Sequence, residues 1–154
     1  MRTLVKYIAS KTLQPALKKY LGKTRTYHYK NIHLVIPPEV FHPGFFFSTK
    51  ILLDYVLKLN LNNKKLLELG AGSGLISFAA AKKNAMVTAT DINAVAVNYL
   101  KINSEENHLP VEVILSDLFD EIAEQQFDII VINPPYYKKN PQTKVSKEEG
   151  RKQS

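Results

Sequence analysis

The sequence predicts a doubly wound α/β domain built on a parallel sheet, and three observations carry this prediction. Four short apolar runs, each of the length of a strand, follow one another after residue 62. Segments whose apolar residues recur at helical spacing separate these runs. The runs are almost continuously apolar, which is typical of strands that crossover helices cover on both faces. Together these observations predict a Rossmann-like parallel sheet.

Residues 1–61 are predicted to be a basic extension that precedes the sheet. Apolar residues between Leu4 and Tyr20 can share one helical face, which predicts a short basic helix interrupted near Pro15. The rough alternation from Tyr27 to Ile36 stops at two prolines and predicts an edge strand or a hairpin. The extension is therefore expected to contain both a helix and strand structure.

A turn and a further helix are predicted to lead into the sheet. Phe41 to Gly44 has the composition of a turn, and Ser48 or Thr49 is expected to cap the helix that follows. The apolar residues that predict this helix are Leu52, Leu53, Val56 and Leu57.

Residues 62–137 are predicted to form the sheet and its helices, and residues 138–154 a polar, basic tail that is disordered. Each predicted strand ends at a short polar or glycine-containing segment, so the predicted functional residues lie near the carboxyl ends of the strands. The predicted strands are 66–69, 86–90, 111–115 and 127–132, and the predicted helices are 74–83, 94–107 and 118–125.

The charge of the chain is unevenly distributed around its total of +7. Residues 1–65 hold 12 basic and two acidic residues, residues 66–137 hold three and ten, and residues 138–154 hold six and two. Basic ends around an acidic middle favour an anionic macromolecule that meets the termini, although solubility alone is an alternative explanation. No apolar run is long enough to cross a membrane, and Lys6 and Lys11 interrupt the apolar stretch that a secretory signal needs, so we expect a cytoplasmic protein. A transit-like amphipathic helix in the first twenty residues is the alternative.

A glycine-rich turn follows the first apolar strand of the sheet. Gly70, Ala71, Gly72 and Gly74 belong to a Gly-x-Gly-x-Gly pattern, which lets a ligand lie directly against backbone N–H groups. The dinucleotide fingerprint has the different spacing Gly-x-Gly-x-x-Gly, and the carboxylate of Glu68 beside the turn would repel a pyrophosphate. The turn is therefore expected to bind a cofactor other than NAD.

Acidic residues follow the next two strands. Asp91 comes about 20 residues after the turn, where a carboxylate can accept hydrogen bonds from ribose hydroxyls, and Asp117 follows the third strand. Helix capping is the alternative role of an aspartate at such a junction. The chain has no cysteine, and its histidines lack the spacing of metal ligands, so no metal site is expected.

The fourth strand ends in Asn133-Pro134-Pro135-Tyr136. This segment, together with the Gly-x-Gly-x-Gly turn and Ser116-Asp117-Leu118-Phe119, resembles class I S-adenosylmethionine-dependent methyltransferases that modify planar nitrogens. Relatives include release-factor glutamine methyltransferases and RNA base amino-methyltransferases, and the resemblance spans about residues 62–137.

The resemblance implies roles for the predicted site residues. It implies that Glu68 lies near the ammonium group of the cofactor, Asp117 near the adenine amino group, and Ile92 and Leu118 beside the cofactor. It also implies that the Asn133 side chain and the Pro134 carbonyl accept hydrogen bonds from the acceptor nitrogen, while Tyr136 stacks on the acceptor. Phe41 to Thr49 resembles a segment that lies over the cofactor in relatives, although core packing is the alternative.

Class I methyltransferases have seven strands, whereas only four are predicted here. We therefore expect a fold truncated after its fourth core strand, with that strand at an exposed edge where self-association is an option. The expected function is methylation of an RNA amino group or a protein glutamine amide, with reduced or absent catalysis in this chain. The alternative is a noncatalytic cofactor-binding or assembly module.

Overall fold

A computed structural model of the chain describes residues 22–134. The predicted N-terminal helix, Pro135, Tyr136 and the predicted tail lie outside the described residues. Within residues 22–134, no helix combines the length and the apolar character that crossing a membrane requires. The strands are β1 (Arg25–Tyr29), β2 (Ile32–Ile36), β3 (Lys65–Leu69), β4 (Met86–Asp91), β5 (Val111–Leu115) and β6 (Ile129–Ile132), and the α-helices are α1 (Phe47–Val56), α2 (Leu75–Ala81) and α3 (Ala94–Glu106).

Strands β3 to β6 form one parallel sheet in the order β5-β4-β3-β6. Helix α2 connects β3 to β4, and helix α3 connects β4 to β5, as in a doubly wound fold. The parallel α/β fold predicted from the sequence is thereby confirmed. Because all four strands run the same way, their carboxyl ends meet at one edge of the sheet, where the predicted site residues follow them.

The connection from β5 to β6 differs from the prediction, because residues 118–125 form turns instead of a helix. Leu118 has a φ of 49°, in the left-handed region, which a continuous right-handed helix does not contain. Asp120 N–H then donates to the Asp117 carbonyl and Ile122 N–H to the Phe119 carbonyl, both at 3.1 Å. These short-range bonds close two successive turns and leave no amphipathic face to pack.

The N-terminal prediction of an edge strand or hairpin corresponds to an antiparallel hairpin of β1 and β2. Helix α1 begins two or three residues before its predicted start, and Phe46 occupies the N-cap position without a side-chain cap bond. The predicted caps, Ser48 and Thr49, both lie inside the helix. Thr49 instead accepts a hydrogen bond from Asn133, 84 residues away, a contact that local sequence rules cannot anticipate.

One hydrophobic core joins the hairpin, the helices and one face of the sheet. Ile32 and Leu34 of the hairpin, Leu53 of α1 and Leu66 of β3 are all at most 2 % exposed and belong to the same cluster. Phe78 of α2 belongs to the same cluster and has no exposed surface. The hairpin is therefore packed onto the sheet domain and does not stand apart from it.

Two asparagines, Asn103 in α3 and Asn107 at its C-cap, attach the hairpin through its backbone. Asn103 accepts from Val35 N–H at 2.8 Å and donates to the Val35 carbonyl at 3.0 Å. One helical turn later, Asn107 accepts from His33 N–H at 2.8 Å and donates to the His33 carbonyl at 2.6 Å. Side-chain amides thus take the place of a further strand along β2, since each offers the donor and the acceptor that a strand would offer.

We expect Asn103→Leu to lower the free energy of unfolding by about 2–4 kcal/mol. The leucine cannot bond to the backbone of Val35, and Asn103 is only 1 % exposed, so water cannot replace the lost bonds. Asn107→Leu is the matched control, because its partner His33 lies at the exposed end of the contact and can bond to water. Urea denaturation followed by circular dichroism measures both; equal losses would contradict the role of burial.

Candidate functional site

A cavity of about 470 Å³ opens at the carboxyl ends of strands β3, β4 and β6. Its volume lies within the range of pockets that bind small molecules and cofactors. The glycine turn after β3, the residues after β4 and Asn133 after β6 line one side of it. The segment of residues 38–46, of which all but Gly44 and Phe45 line the cavity, forms the other side. Of the predicted site residues, those that line the cavity are Glu68, Gly70, Ala71, Gly72, Asp91, Ile92 and Asn133.

Gly70 and Gly72 give the cavity a backbone wall. Their φ angles are 65° and 54°, which residues with a Cβ rarely adopt. A Cβ on Gly70 would meet no atom within 4 Å, and one on Gly72 would lie 3.8 Å from Phe41 on the facing wall. The turn thus leaves space where side chains would otherwise project, so a ligand can approach the main chain.

Gly74 has a different position, because it is the N-cap of α2 and does not line the cavity. Its φ is 78°, and a Cβ there would lie 2.4 Å from Leu100 Cδ2 and 2.7 Å from Phe78 Cε2. This glycine lets the start of α2 lie directly against the side chain of Leu100 in α3.

Glu68 is a buried carboxylate in the wall of the cavity. Ser77 N–H donates to its Oε2 at 2.9 Å, and the Ser77 hydroxyl donates to the same oxygen. Burial raises the pKa of Glu68 to about 7, and the negative charge of Asp91 adds to the rise, while the bonds from Ser77 oppose it. Both bonds fall on Oε2, so Oε1 is the oxygen available to a cationic ligand.

Asp91 connects the end of β4 to the glycine turn. Its Oδ2 accepts from Gly72 N–H at 2.8 Å, and its Oδ1 accepts from Asn93 N–H at 2.9 Å. Each carboxylate oxygen can accept a second hydrogen bond, so the side chain is able to bind a pair of ligand hydroxyls as well. Asp91 thereby holds the shape of the turn and offers acceptors to the cavity.

Asp117 and Leu118, also predicted as cofactor-binding residues, lie in the turn after β5 and are exposed. They do not line the cavity. Ser116 organises this turn, because its hydroxyl donates to the Leu118 carbonyl and accepts from Glu121 N–H, each at 3.1 Å. Pro134 is exposed and does not line the cavity either.

Asn133 lies at the rim of the cavity, directly after β6, and is half-buried. Its Nδ2 donates to the hydroxyl of Thr49 at 3.0 Å, which leaves Oδ1 as the free end of the carboxamide. Thr49 itself lines the cavity and is 6 % exposed. The start of α1, which follows the wall formed by residues 38–46, and the end of β6 thus meet at this contact.

Residues 38–46 supply a wall that sequence patterns indicated only through the resemblance of Phe41 to Thr49. The rings of Phe41 and Phe46 stack with their centroids 3.5 Å apart. Asn93 Nδ2 donates to the Glu39 carbonyl at 3.3 Å and so joins this wall to the start of α3. No local signal identifies Asn93 as a wall residue, since its other role, capping α3 through Val95 N–H, accounts for its place in the sequence.

His42 is a buried ring in the same wall. Gly44 N–H donates to its Nδ1 at 3.2 Å, and Tyr27 packs edge-on against it. Burial lowers the pKa of His42, and the charge of Arg25 lowers it further, so the ring is neutral at neutral pH. His42 therefore adds a neutral, shape-defining surface to the cavity.

The sequence is similar to known proteins over most of its length. The family described as "Methyltransferase small domain" matches residues 31–149. A Methanocaldococcus jannaschii protein, provisionally named a protein N5-glutamine methyltransferase, is 38 % identical over 117 residues, which is 75 % of this chain and 57 % of that protein. The release factor glutamine methyltransferase of Streptococcus pneumoniae is 36 % identical over 117 residues, 74 % of this chain and 41 % of that protein.

Among solved structures, a 16S rRNA N2-methyltransferase of T. thermophilus in complex with AdoMet and guanosine is similar with a TM-score of 0.64 and 26 % identity. The match covers 77 % of this chain and 34 % of that one. The chain thus spans between about a third and three fifths of the length of these proteins.

Proposed function

Because the chain belongs to the methyltransferase small domain family, we propose that its cavity binds S-adenosylmethionine and presents the methyl group to a planar nitrogen. One observation supports this proposal: a single cavity is lined by the backbone of the glycine turn, the carboxylates of Glu68 and Asp91, and the carboxamide of Asn133. Each of these groups matches a different part of the cofactor or of the acceptor.

The residues present fit the cofactor. The free Oε1 of Glu68 can bind a cationic amine, and the second acceptor sites of Asp91 can bind the two hydroxyls of a ribose. The open main chain at Gly70 and Gly72 admits the cofactor without a clash. When bound, the cofactor supplies a methyl group activated by its attachment to a sulfonium.

The acceptor side of the proposal centres on Asn133. A nitrogen in an amide or aromatic amine is a poor nucleophile, because its lone pair is delocalised. Asn133 Oδ1, at the rim, can accept one N–H and orient the nitrogen toward the methyl group. As the nitrogen–carbon bond forms, the sulfur–carbon bond breaks to leave a thioether, and the surplus proton on nitrogen leaves to solvent.

The substrate class that we propose is a macromolecule that carries such a nitrogen, either a protein glutamine or an amino group on an RNA base. The names of the similar proteins support both options, and the net charge of +7 favours RNA. The location that such substrates imply is the cytoplasm. Self-association across β6, where Ile130 and Ile132 are 49 % and 50 % exposed, stays a prediction.

The test of cofactor binding is calorimetric titration with S-adenosylhomocysteine. We expect Asp91→Ala to weaken binding about 100-fold, because two hydrogen bonds to a charged acceptor are lost. Asp120→Ala is the matched control, since it removes the same charge from an exposed turn outside the cavity. An absence of binding to the parent chain would refute the proposal.

Cofactor affinity is also expected to depend on pH through Glu68. Its pKa of about 7 means that the free protein holds a neutral carboxyl below that pH, whereas a cationic amine binds the ionised form. We therefore expect the dissociation constant to fall about eightfold between pH 6 and pH 7.5. The effect of Glu68 on stability has the opposite sign. Because burial raises its pKa from 4.5 to about 7, Glu68 lowers the free energy of unfolding as the pH rises from 4.5 to 7.

Titrations at several pH values measure this dependence, with Glu68→Gln as the comparison. The glutamine keeps the shape but cannot ionise, so its affinity should be lower and nearly constant over the same range. A parent chain whose affinity does not change with pH would show that Glu68 does not contact the amine.

A further inference from the structure

The contact between Asn133 and Thr49 joins two parts of the site that are far apart in the sequence. We propose that Thr49 is a positioning residue, which turns the carboxamide oxygen of Asn133 toward the acceptor nitrogen. This inference rests on the proposed function and adds a residue to it. The hydrogen bond of 3.0 Å from Asn133 Nδ2 to the Thr49 hydroxyl is its structural basis.

A carboxamide needs such a partner because its two ends have opposite hydrogen-bonding character. The oxygen accepts hydrogen bonds, and the nitrogen only donates them. If the Asn133 side chain rotated by half a turn, its NH₂ group would face the N–H of the acceptor and repel it. A hydroxyl can donate as well as accept, but in this structure Thr49 accepts from Nδ2, and Oδ1 is the end that remains for the acceptor.

Thr49 is well placed to hold this orientation. It shares the buried face of α1 with Leu53 and Val56, which belong to the hydrophobic core. A threonine side chain in a helix is largely restricted to two χ1 rotamers, so its hydroxyl has few possible positions. Because Thr49 is only 6 % exposed, water competes poorly for Nδ2.

The helix that carries Thr49 also follows the wall formed by residues 38–46. Thr49 and Phe46 both line the cavity. The wall that faces the cofactor and the residue that orients the acceptor group are thus parts of one continuous segment. The position of this segment sets the geometry on both sides of the transferred methyl group.

The direct test of the contact is nuclear magnetic resonance on protein labelled with ¹⁵N-asparagine. The Asn133 side-chain amide is assigned by its absence in Asn133→Asp, and its exchange with water is measured. We expect Thr49→Val to speed this exchange about tenfold or more and Thr49→Ser to restore slow exchange. Ser48→Ala is the control, since it removes a neighbouring hydroxyl that does not line the cavity.

The functional test measures methyl transfer to cell-extract RNA and protein with the same variants. Thr49→Val is expected to lower kcat about tenfold, with cofactor affinity and the melting temperature nearly unchanged, and Thr49→Ser to recover most of the rate. Unchanged amide exchange in Thr49→Val would overturn the proposal, and so would a loss confined to cofactor affinity.

Failure of the proposed function would give a different experimental result from failure of the role proposed for Thr49. A parent chain that does not bind S-adenosylhomocysteine refutes the cofactor site, whatever the amide exchange shows. A parent chain that binds the cofactor, with the Thr49 variants changing exchange as expected, supports the orientation of Asn133 even before an acceptor is identified.

Discussion

Replacing Gly74 with alanine is expected to destabilise the domain by about 2–5 kcal/mol. A residue with a Cβ loses about 1–2 kcal/mol at the φ of 78° that this position requires. The new Cβ would also lie 2.4 Å from Leu100 and 2.7 Å from Phe78, both with no exposed surface. Crowding of this kind in a packed core costs a further 1–3 kcal/mol, roughly. Urea denaturation measures the loss.

Gly70→Ala is the matched control for this prediction. Gly70 also has a positive φ, of 65°, but its Cβ would meet no atom within 4 Å. We therefore expect Gly70→Ala to lower the free energy of unfolding only by the backbone cost of about 1–2 kcal/mol. If both variants lost the same stability, the lack of space beside Leu100 and Phe78 would not be the reason for a glycine at position 74.

Asn133→Ala is expected to reduce methyl transfer about 100-fold or more. The variant loses Oδ1, the group proposed to orient the acceptor nitrogen, and removing one such preorganised polar group typically has an effect of this size. Affinity for S-adenosylhomocysteine should remain close to that of the parent chain, because Glu68, Asp91 and the glycine turn are intact. Transfer of a labelled methyl group and calorimetry together separate the two effects.

The control for Asn133→Ala is Asn62→Ala, which alters an exposed asparagine that does not line the cavity. Transfer by Asn133→Ala at the parent rate would contradict the proposed role. A parent chain that binds the cofactor but transfers nothing would instead support a noncatalytic binding module.

Local sequence rules were sufficient to predict the elements whose pattern of apolar residues follows from their burial. The strand ending at Leu69, the glycine turn and the acid Asp91 follow from apolar runs and from the mechanics of a strand–turn–helix unit. The same rules failed for residues 118–125, where two successive turns, closed by Asp120 N–H and Ile122 N–H, replace the predicted helix. Hydrophobic periodicity does not distinguish such turns from a short helix.

The contacts that complete the cavity were not predictable, because they join residues distant in sequence. Thr49 is of a residue type that caps helices, yet its hydroxyl bonds to Asn133. Asn93 is of such a type as well and does cap α3, but its side chain also bonds to the Glu39 carbonyl. When a polar residue already has a role in capping a helix, the sequence does not show that it also bonds to a residue far away in the chain.

The attachment of β2 to α3 has a consequence for aggregation. Unpaired N–H and C=O groups along the edge of a strand can recruit a strand from another molecule. Asn103 and Asn107 occupy these groups at Val35 and His33, so this edge of the hairpin cannot act as a template. Variants that release the hairpin from α3 would therefore leave the backbone groups of Val35 and His33 unpaired. They are expected to aggregate more readily as well as to lose stability.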